Sequence, residues 1–211
     1  IGLTFATGLR SLVRQDPDIL MVGEIRDEET VSLAINAALT GHLVLSTLHT
    51  NSAAGAIPRL IDMGAEPFLI SSTLNIIVAQ RLVRRLSEEK EKYTLSEKEL
   101  ASLSSYCNVE RVTNILREQK LLKHTQELQD ISFWRPKATK ETPDGYKGRI
   151  GIYEVLPVTE TIKSLMIQKA GADTIQEQAE KEGMRTMVED GFVKAAQGIT
   201  SIEEILRVIT E

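Results

Sequence analysis

The sequence predicts an α/β fold with a parallel sheet. Two continuous apolar runs, Ile19–Val22 and residues 43–48, have the pattern of strands that a parallel sheet buries on both faces. The segment between them reads as a helix, because Asp27 can cap its first turn and Gly41 can end it. This order favours a right-handed parallel crossover, which would bring the carboxyl ends of both strands to one edge.

Composition indicates a globular chain. The 211 residues are 42% apolar and 26% charged, which suits one domain with a smaller appendage. The lone Cys107 excludes an internal disulfide and a cysteine-based metal cage, and it fits a reducing cytoplasm. The net charge of −5 gives no general electrostatic footprint for nucleic acid. The apolar stretch 68–86 contains polar residues and ends in arginines, unlike a transmembrane helix.

Three further helices are predicted around the two strands. Capping and helix-breaking residues place them over residues 4–15, 51–64 and 67–86. Near the end of the third, three basic side chains would complement the helix dipole: Arg81, Arg84 and Arg85.

A polar, charged insert from residue 87 to about residue 144 separates this core from a helical tail. Ser96-x-x-Glu99 predicts a capped helix inside the insert. Residues 149–156 read as a strand, and four helices should follow it, over residues 159–169, 173–182, 185–197 and 201–209. The predicted domain organisation is a core at 1–86, an insert at 87–144 and a strand with helices at 145–211.

Glu24 stands just beyond the first strand. P-loop nucleotide hydrolases place there the acid that holds magnesium or orients the attacking water. The common motif has an aspartate before this glutamate, whereas this chain has Gly23. The competing interpretation is a glutamate that caps the following helix. Glu24 is therefore the candidate catalytic residue and the candidate magnesium ligand, through water.

Two histidines bracket the second strand. Because side chains alternate along a strand, His42 and His49 should point to opposite faces or opposite ends, and they cannot form a simple metal pair. His49, at the carboxyl end, can donate a hydrogen bond to a terminal phosphate. His42, at the entry end, reads as a structural residue that ties Gly41 and its turn to a neighbouring backbone.

Three arginines offer planar donors for phosphate oxygens or for a bridge to a neighbouring subunit. Arg26 is favoured because it lies beside Glu24, while Arg10 and Arg14 share one face of the first predicted helix. The competing interpretation is a solvated face or a salt bridge to Asp27 and Glu28.

These side chains form only half of an ATPase site. No window of the 211 residues contains the Gly-x-x-x-x-Gly-Lys-Ser/Thr loop that cradles phosphates. The glycine-rich segment 145–151 precedes a strand instead of linking a strand to a helix, so it reads as a turn. The chain starts at Ile1 without a Met, and we expect it to be the C-terminal piece of a longer protein.

Segments on both sides of the insert resemble the ATPases that drive type II secretion and type IV pilus assembly. Residues 2–27 resemble their Walker B region and residues 40–51 their His box. Residues 145–156 and 183–206 resemble the extension or assembly branch more than the retraction branch. The resemblance implies an α/β fold that is the C-terminal part of a RecA-like P-loop NTPase core with a parallel sheet, followed by a small polar insert and a helical C-terminal subdomain.

The resemblance also implies a motor. Such ATPases work as homo-hexameric rings on the cytoplasmic face of the bacterial inner membrane, bind ATP and magnesium between domains and subunits, and act with an inner-membrane platform protein. Glu24 would be the catalytic Walker B glutamate, with Gly23 as the family's own departure from the general motif. His49 and His42 would be the His-box pair, and with Arg26 they are the predicted nucleotide-binding side chains.

The chain departs from this family in two respects. Many members carry a four-cysteine zinc module in the insert, but here Ser87 and Lys90 occupy the first spacing and Ala138 and Glu141 the second, so no zinc is expected. The phosphate loop is also absent, which implies that this piece alone neither binds ATP tightly nor hydrolyses it.

Two other functions remain open. A non-catalytic docking module for the platform protein is disfavoured by the intact Glu24 and His49. A nucleic-acid motor of the wider RecA class is disfavoured by the acidic balance and by the lack of an aromatic and basic strand path, so no nucleic-acid partner is expected. Pilus assembly and type II secretion fit the residues equally.

Overall fold

The computed structural model describes residues 7, 8, 11, 12, 14, 15 and 17–210. Half of the residues of the helix predicted over residues 4–15, Arg10 among them, therefore lie outside the described residues, and residues 7, 8, 11 and 12 are helical. Among the residues that are described, no helix is long and apolar enough to cross a membrane.

The described residues form a mixture of strands and helices. The strands are β1 (Ile19–Val22), β2 (Leu43–Ser46), β3 (Ile76–Leu86), β4 (Lys90–Thr94), β5 (Ser132–Pro136) and β6 (Tyr146–Pro157). The helices are α1 (Glu28–Leu39), α2 (Ala56–Asp62), α3 (Pro67–Thr73), α4 (Glu97–Leu103), α5 (Val109–Glu118), α6 (Glu160–Ile167), α7 (Ala172–Lys181), α8 (Met187–Ala196) and α9 (Ile202–Thr210). A 3₁₀ turn, Leu128–Asp130, precedes β5. The strands pair as β1 with β2, β3 with β6, and β4 with β5.

The predicted parallel crossover is confirmed. β1 and β2 run parallel, with Ile19 beside Leu43 and Val22 beside Ser46, and α1 connects them. The Asp27 carboxylate accepts a hydrogen bond from the backbone N–H of Thr30, so it caps α1 as the sequence indicates. The fold is therefore α/β with parallel strands, as predicted.

The prediction that β1 is buried on both faces is wrong. Leu20 and Val22 are buried, whereas Ile19 is 58% exposed and Met21 is 80% exposed. Successive side chains of a strand point to opposite faces, and the described residues cover only one face of the β1–β2 pair. A continuous apolar run is thus compatible with a strand that has an open apolar face.

The predicted helix over residues 67–86 is also wrong in its second half. α3 ends at Thr73, and β3 begins at Ile76 after the two residues Leu74 and Asn75. The run Ile76, Ile77 and Val78 is β-branched, which favours strand over helix. The three arginines assigned to a helix end, Arg81, Arg84 and Arg85, therefore lie on a strand.

β3 and β6 form a long two-stranded ribbon. The N–H of Val158 donates to the Asn75 carbonyl at one end, and the N–H of Ser87 donates to the Gly145 carbonyl at the other, so the two strands run antiparallel. The predicted strand at residues 149–156 is confirmed and extends to Tyr146. Gly145, with a φ of 73°, closes the turn before it. The rest of the segment 145–151, which was predicted as a turn, belongs to β6.

The chain forms two compact units. The first contains residues 1–79 and 155–184, and the second contains residues 80–154 and 185–211. This grouping follows contacts in space and not chain order, and the sequence-based division at residues 86 and 144 stays a proposal about domain organisation.

The first unit packs helices against the parallel strand pair. α3 lies against α6 and against α1, and α6 lies against α7. Its core is aliphatic and includes Ile57, Ile70, Leu156, Ile162 and Met166. These contacts hold α1, and thus the loop before it, on a packed support.

The second unit contains the insert. β4 and β5 pair antiparallel, and α5 and α9 both pack against α8. Its core includes Leu116, Phe133, Phe192 and Ile205. The predicted capping box is confirmed, because Ser96 Oγ accepts from the N–H of Glu99 while the Glu99 carboxylate accepts from the N–H of Ser96. The four predicted tail helices form as well, α6 and α7 in the first unit and α8 and α9 in the second.

Candidate functional site

Glu24 lies at the carboxyl edge of the parallel pair, two residues beyond the end of β1. The register of the pair brings the end of β2 to the same edge, so His49 lies nearby. The sheet topology thus joins two side chains that are 25 positions apart in the sequence numbering. This is the juxtaposition that the crossover predicts.

Each carboxylate oxygen of Glu24 contacts one basic side chain. Its Oε2 lies 2.6 Å from Nη2 of Arg26, and its Oε1 lies 2.9 Å from Nε2 of His49. The Glu24 side chain is 21% exposed, whereas those of Arg26 and His49 are 74% and 85% exposed. Both partners are therefore free to turn toward a ligand, while Glu24 is held closer to the sheet.

The charge of Glu24 is stabilised by these neighbours. The hydrogen bond from Arg26 is the largest influence and lowers the pKa of Glu24; desolvation opposes it, and the charges of Arg26 and His49 add to the lowering. The same hydrogen bond raises the pKa of Arg26. Glu24 is thus ionised at neutral pH and can accept a proton or a hydrogen bond, or help to hold a divalent cation.

The capping interpretation of Glu24 does not fit this geometry. Asp27, and not Glu24, is the residue that caps α1. The hydrogen bond from the Thr30 backbone lowers the pKa of Asp27, so that carboxylate is committed to the helix. Arg26 accordingly pairs with Glu24.

His42 lies at the opposite end of β2 and serves the backbone. Its Nδ1 is 3.0 Å from the carbonyl oxygen of Ala37 and 3.0 Å from Oγ1 of Thr40. The backbone N–H of His42 also donates to the carbonyl oxygen of Ala37. Since a carbonyl only accepts, the contact of Nδ1 with Ala37 favours a proton on Nδ1. His42 thus closes the last turn of α1, which is the structural role predicted from its position, and the structure does not bring it to Glu24.

The other two candidate arginines precede β1 in the chain. Arg14 is exposed, and Arg10 falls outside the described residues. Within the described part of the chain, no group of three or more His, Cys, Asp and Glu residues is arranged to hold a metal ion. At the zinc-module positions, Ser87 donates its hydroxyl to the Glu89 carbonyl, and Lys90 donates to the Gly198 carbonyl.

Thr47 is a residue at this edge that the sequence did not single out. Its hydroxyl donates to the carbonyl of Gly23 at 2.6 Å, and its carbonyl accepts from the N–H of Ile25 at 3.0 Å. The available signal was its spacing, because residues two apart in an extended chain share a face and Thr47 precedes His49 by two.

The chain is similar to secretion and pilus ATPases over nearly its whole length. Among curated proteins, it is 49% identical over 209 residues to the type II secretion system protein E of Xanthomonas campestris pv. campestris, covering 99% of this chain and 34% of that protein. It is 45% identical over 206 residues to the type IV pilus assembly ATPase PilB of Thermus thermophilus, covering 97% of this chain and 21% of that protein. The chain thus spans about a third or less of the length of these relatives.

Solved structures share the fold. The pilus retraction motor PilT with bound ADP matches with a TM-score of 0.61 at 25% identity, covering 97% of this chain and 43% of that one. The ATPase DotB of Legionella pneumophila matches with a TM-score of 0.62 at 22% identity, covering 98% of this chain and 42% of that one, which is evidence of fold alone. The profile of the family described as "Type II/IV secretion system protein" matches residues 1–207. The chain therefore belongs to the type II/IV secretion system protein family, among the relatives of the type II secretion and type IV pilus assembly ATPases.

Proposed function

We propose that this chain is the C-terminal part of a motor ATPase that hydrolyses ATP to drive type IV pilus assembly or type II secretion. The observation that carries the proposal is the ionised Glu24 at the carboxyl edge of two parallel strands, in contact with Arg26 and His49. Ligands of open α/β sheets bind at that edge. The names of the relatives, a type II secretion protein and a type IV pilus assembly ATPase, support a role in secretion or pilus assembly.

Glu24 is the catalytic carboxylate in this proposal. Its ionised carboxylate accepts a hydrogen bond from the attacking water and orients it toward the terminal phosphate. Magnesium, when bound, neutralises charge on the phosphates. Glu24 fits that ion through water, because magnesium retains several waters in such sites.

The two exposed partners of Glu24 bind phosphate. Arg26 and His49 can leave the carboxylate and donate to phosphate oxygens, since their side chains are 74% and 85% exposed. Arrival of ATP would then free Glu24 for water. His42 supports β2 from its far end, and Arg10 and Arg14 are candidates for contacts with phosphate or with a neighbouring subunit.

The assembly and location follow the family expectation. We propose a homo-hexamer at the cytoplasmic face of the inner membrane, acting on the platform protein, with ATP and magnesium as cofactors and without zinc. The chain has no Gly-x-x-x-x-Gly-Lys-Ser/Thr sequence in its 211 residues, so we propose that by itself it does not turn over ATP.

Substitution of Glu24→Gln in the complete protein tests the proposal. The amide keeps the size of the side chain but removes the charge that orients water, so ATP turnover should fall by about 100-fold or more while nucleotide binding persists. Steady-state hydrolysis and titration with a fluorescent ATP analogue measure the two properties.

The matched control is Glu66→Gln, which removes one exposed carboxylate of the same unit. Glu66 lies before α3, far along the chain from Glu24, and its side chain makes no capping bond to that helix. The control should hydrolyse ATP at the parent rate. Sustained turnover in Glu24→Gln would instead show that another residue is the catalytic carboxylate.

A further inference from the structure

We propose that Thr47 is a positioning residue for Glu24, an inference that rests on the proposed function of that carboxylate. Thr47 contacts the peptide groups on both sides of Glu24. Its Oγ1 donates to the carbonyl oxygen of Gly23 at 2.6 Å, and its carbonyl oxygen accepts from the N–H of Ile25 at 3.0 Å. A single residue of the segment after β2 thereby fixes the backbone that carries Glu24.

The glycine before Glu24 follows the last paired residue of β1 and is not held by side-chain packing. β1 ends at Val22, and a Cβ added to Gly23 would meet no atom within 4 Å. Side-chain packing therefore does not restrain Gly23, and glycine has wide conformational freedom. The short hydrogen bond from Thr47 restricts the peptide that leads into Glu24.

The same segment also determines where the partner of Glu24 lies. His49 follows Thr47 by two residues, and its Nε2 contacts Oε1 of Glu24 at 2.9 Å. Thr47 thus couples the backbone of the acid to the strand end that carries its partner. Loss of the Thr47 hydroxyl should loosen the alignment of the Glu24 backbone with the segment that carries His49, while the side chains of Glu24 and His49 both remain.

A purely structural role predicts a different outcome from a positioning role. Thr47 is exposed, and its hydroxyl bond is a surface bond, so its loss should leave the melting temperature of the protein nearly unchanged. Catalysis is more sensitive, because a displacement of about 1 Å can slow a reaction by about 100-fold. Turnover should therefore respond far more than stability.

The experiment compares Thr47→Val and Thr47→Ser in the complete protein. Valine keeps the shape but lacks the donor, whereas serine keeps the donor. We expect Thr47→Val to lower kcat for ATP by about 10- to 100-fold with KM within about twofold of the parent, and Thr47→Ser to restore kcat to within about threefold.

The matched control is Thr73→Val. The Thr73 hydroxyl also donates to a carbonyl oxygen, that of Leu69, at 2.8 Å, and it lies in α3 of the same unit. This control should keep the parent kcat. Thermal unfolding of all variants verifies that the comparison is between folded proteins.

A double variant distinguishes action through Glu24 from a general effect. Once Glu24→Gln has removed the carboxylate, adding Thr47→Val should lower the residual turnover by less than about twofold, because residues that act as a unit are not additive. A full additional loss in the double variant would overturn the positioning role.

The other outcomes are equally decisive. If Glu24→Gln stops turnover but Thr47→Val leaves kcat unchanged, or if serine does not rescue, the role of Thr47 is refuted and the proposed function stands. If Glu24→Gln retains turnover, Glu24 is not the catalytic carboxylate, and the inference about Thr47 fails together with that part of the proposed function.

Discussion

At the residue scale, Glu24 shares its two oxygens between partners of unequal influence. The hydrogen bond from Arg26 dominates the lowered pKa of Glu24, and the charge of His49 is the smallest of the contributions. Substitution of Arg26→Gln should therefore raise the pKa of Glu24 toward its ordinary value, and by more than His49→Gln does. A pH titration of the carboxyl carbon of Glu24 by NMR in the 211-residue chain measures both shifts.

Arg14→Gln serves as the control for this titration. Arg14 is exposed, and no ion pair among the described residues links it to Glu24, so the pKa of Glu24 should stay at the parent value. A larger rise with His49→Gln than with Arg26→Gln would contradict the dominance of the arginine.

Sequence was informative about which residues meet at this edge and less so about how they pair. Glu24 and His49 were predictable, because each follows an apolar run and parallel strands end together. The partner of Arg26 depended on which acid caps α1, and that choice is decided by backbone geometry at Asp27. Thr47 acts through backbone atoms, and a bond from a hydroxyl to a carbonyl oxygen leaves no motif in the sequence.

At the element scale, β3 shows why a strand was mistaken for a helix. An apolar run with scattered polar residues fits both the helical and the strand periodicity when the strand is only half-buried. β3 alternates exposed and less exposed side chains along much of its length. The deciding contacts come from β6, about 70 residues later in the chain. Local spacing cannot report such a partner.

One ion-pair network anchors α9 to β3. Glu204 of α9 has a fully buried side chain that accepts hydrogen bonds from the backbone N–H and the guanidinium of Arg84, and from Arg207. Burial raises the pKa of Glu204, but the hydrogen bonds from Arg207 and Arg84 outweigh burial and lower the pKa to about 2. The ionised carboxylate thus stabilises the second unit.

Glu204→Gln should destabilise the second unit in a pH-dependent way. Because the folded pKa lies below the ordinary value of 4.5, the stabilisation is present above pH 4.5 and disappears as the pH falls toward 2. At pH 7 we expect a loss of roughly 2–3 kcal/mol in the free energy of unfolding. Urea denaturation followed by the fluorescence of Trp134, the sole tryptophan, measures it.

The neighbouring Glu203→Gln is the control for Glu204. Glu203 forms an exposed ion pair with Arg135 at 3.3 Å, and such a pair contributes at most about 1 kcal/mol. Equal losses of unfolding free energy in the two variants would show that the buried network does not stabilise the unit. The same conclusion would follow if the stability of Glu204→Gln fell at acidic pH as that of the parent does.

At the scale of the whole molecule, an exposed apolar face stands beside the candidate site. Ile19 and Met21 on β1 lie next to Leu43 and Leu45 on β2, and all four are at least 45% exposed. An isolated two-stranded sheet is marginally stable, and an apolar patch of neighbouring side chains favours association. The relatives are about three times as long or more, and under the proposed function, in which this chain is one part of a longer protein, we expect another part to cover this face.

The 211-residue chain alone should therefore self-associate through this face. Replacing both central residues, Met21→Lys with Leu45→Lys, places two like charges on the patch and should shift the chain toward monomer with little change in melting temperature, since both side chains are exposed. Size-exclusion chromatography with light scattering at several concentrations measures the mass.

Ile167→Lys, at an exposed apolar residue of α6, adds charge elsewhere and should leave the association intact. An equal effect from Ile167→Lys would mean that net charge, and not this face, controls association.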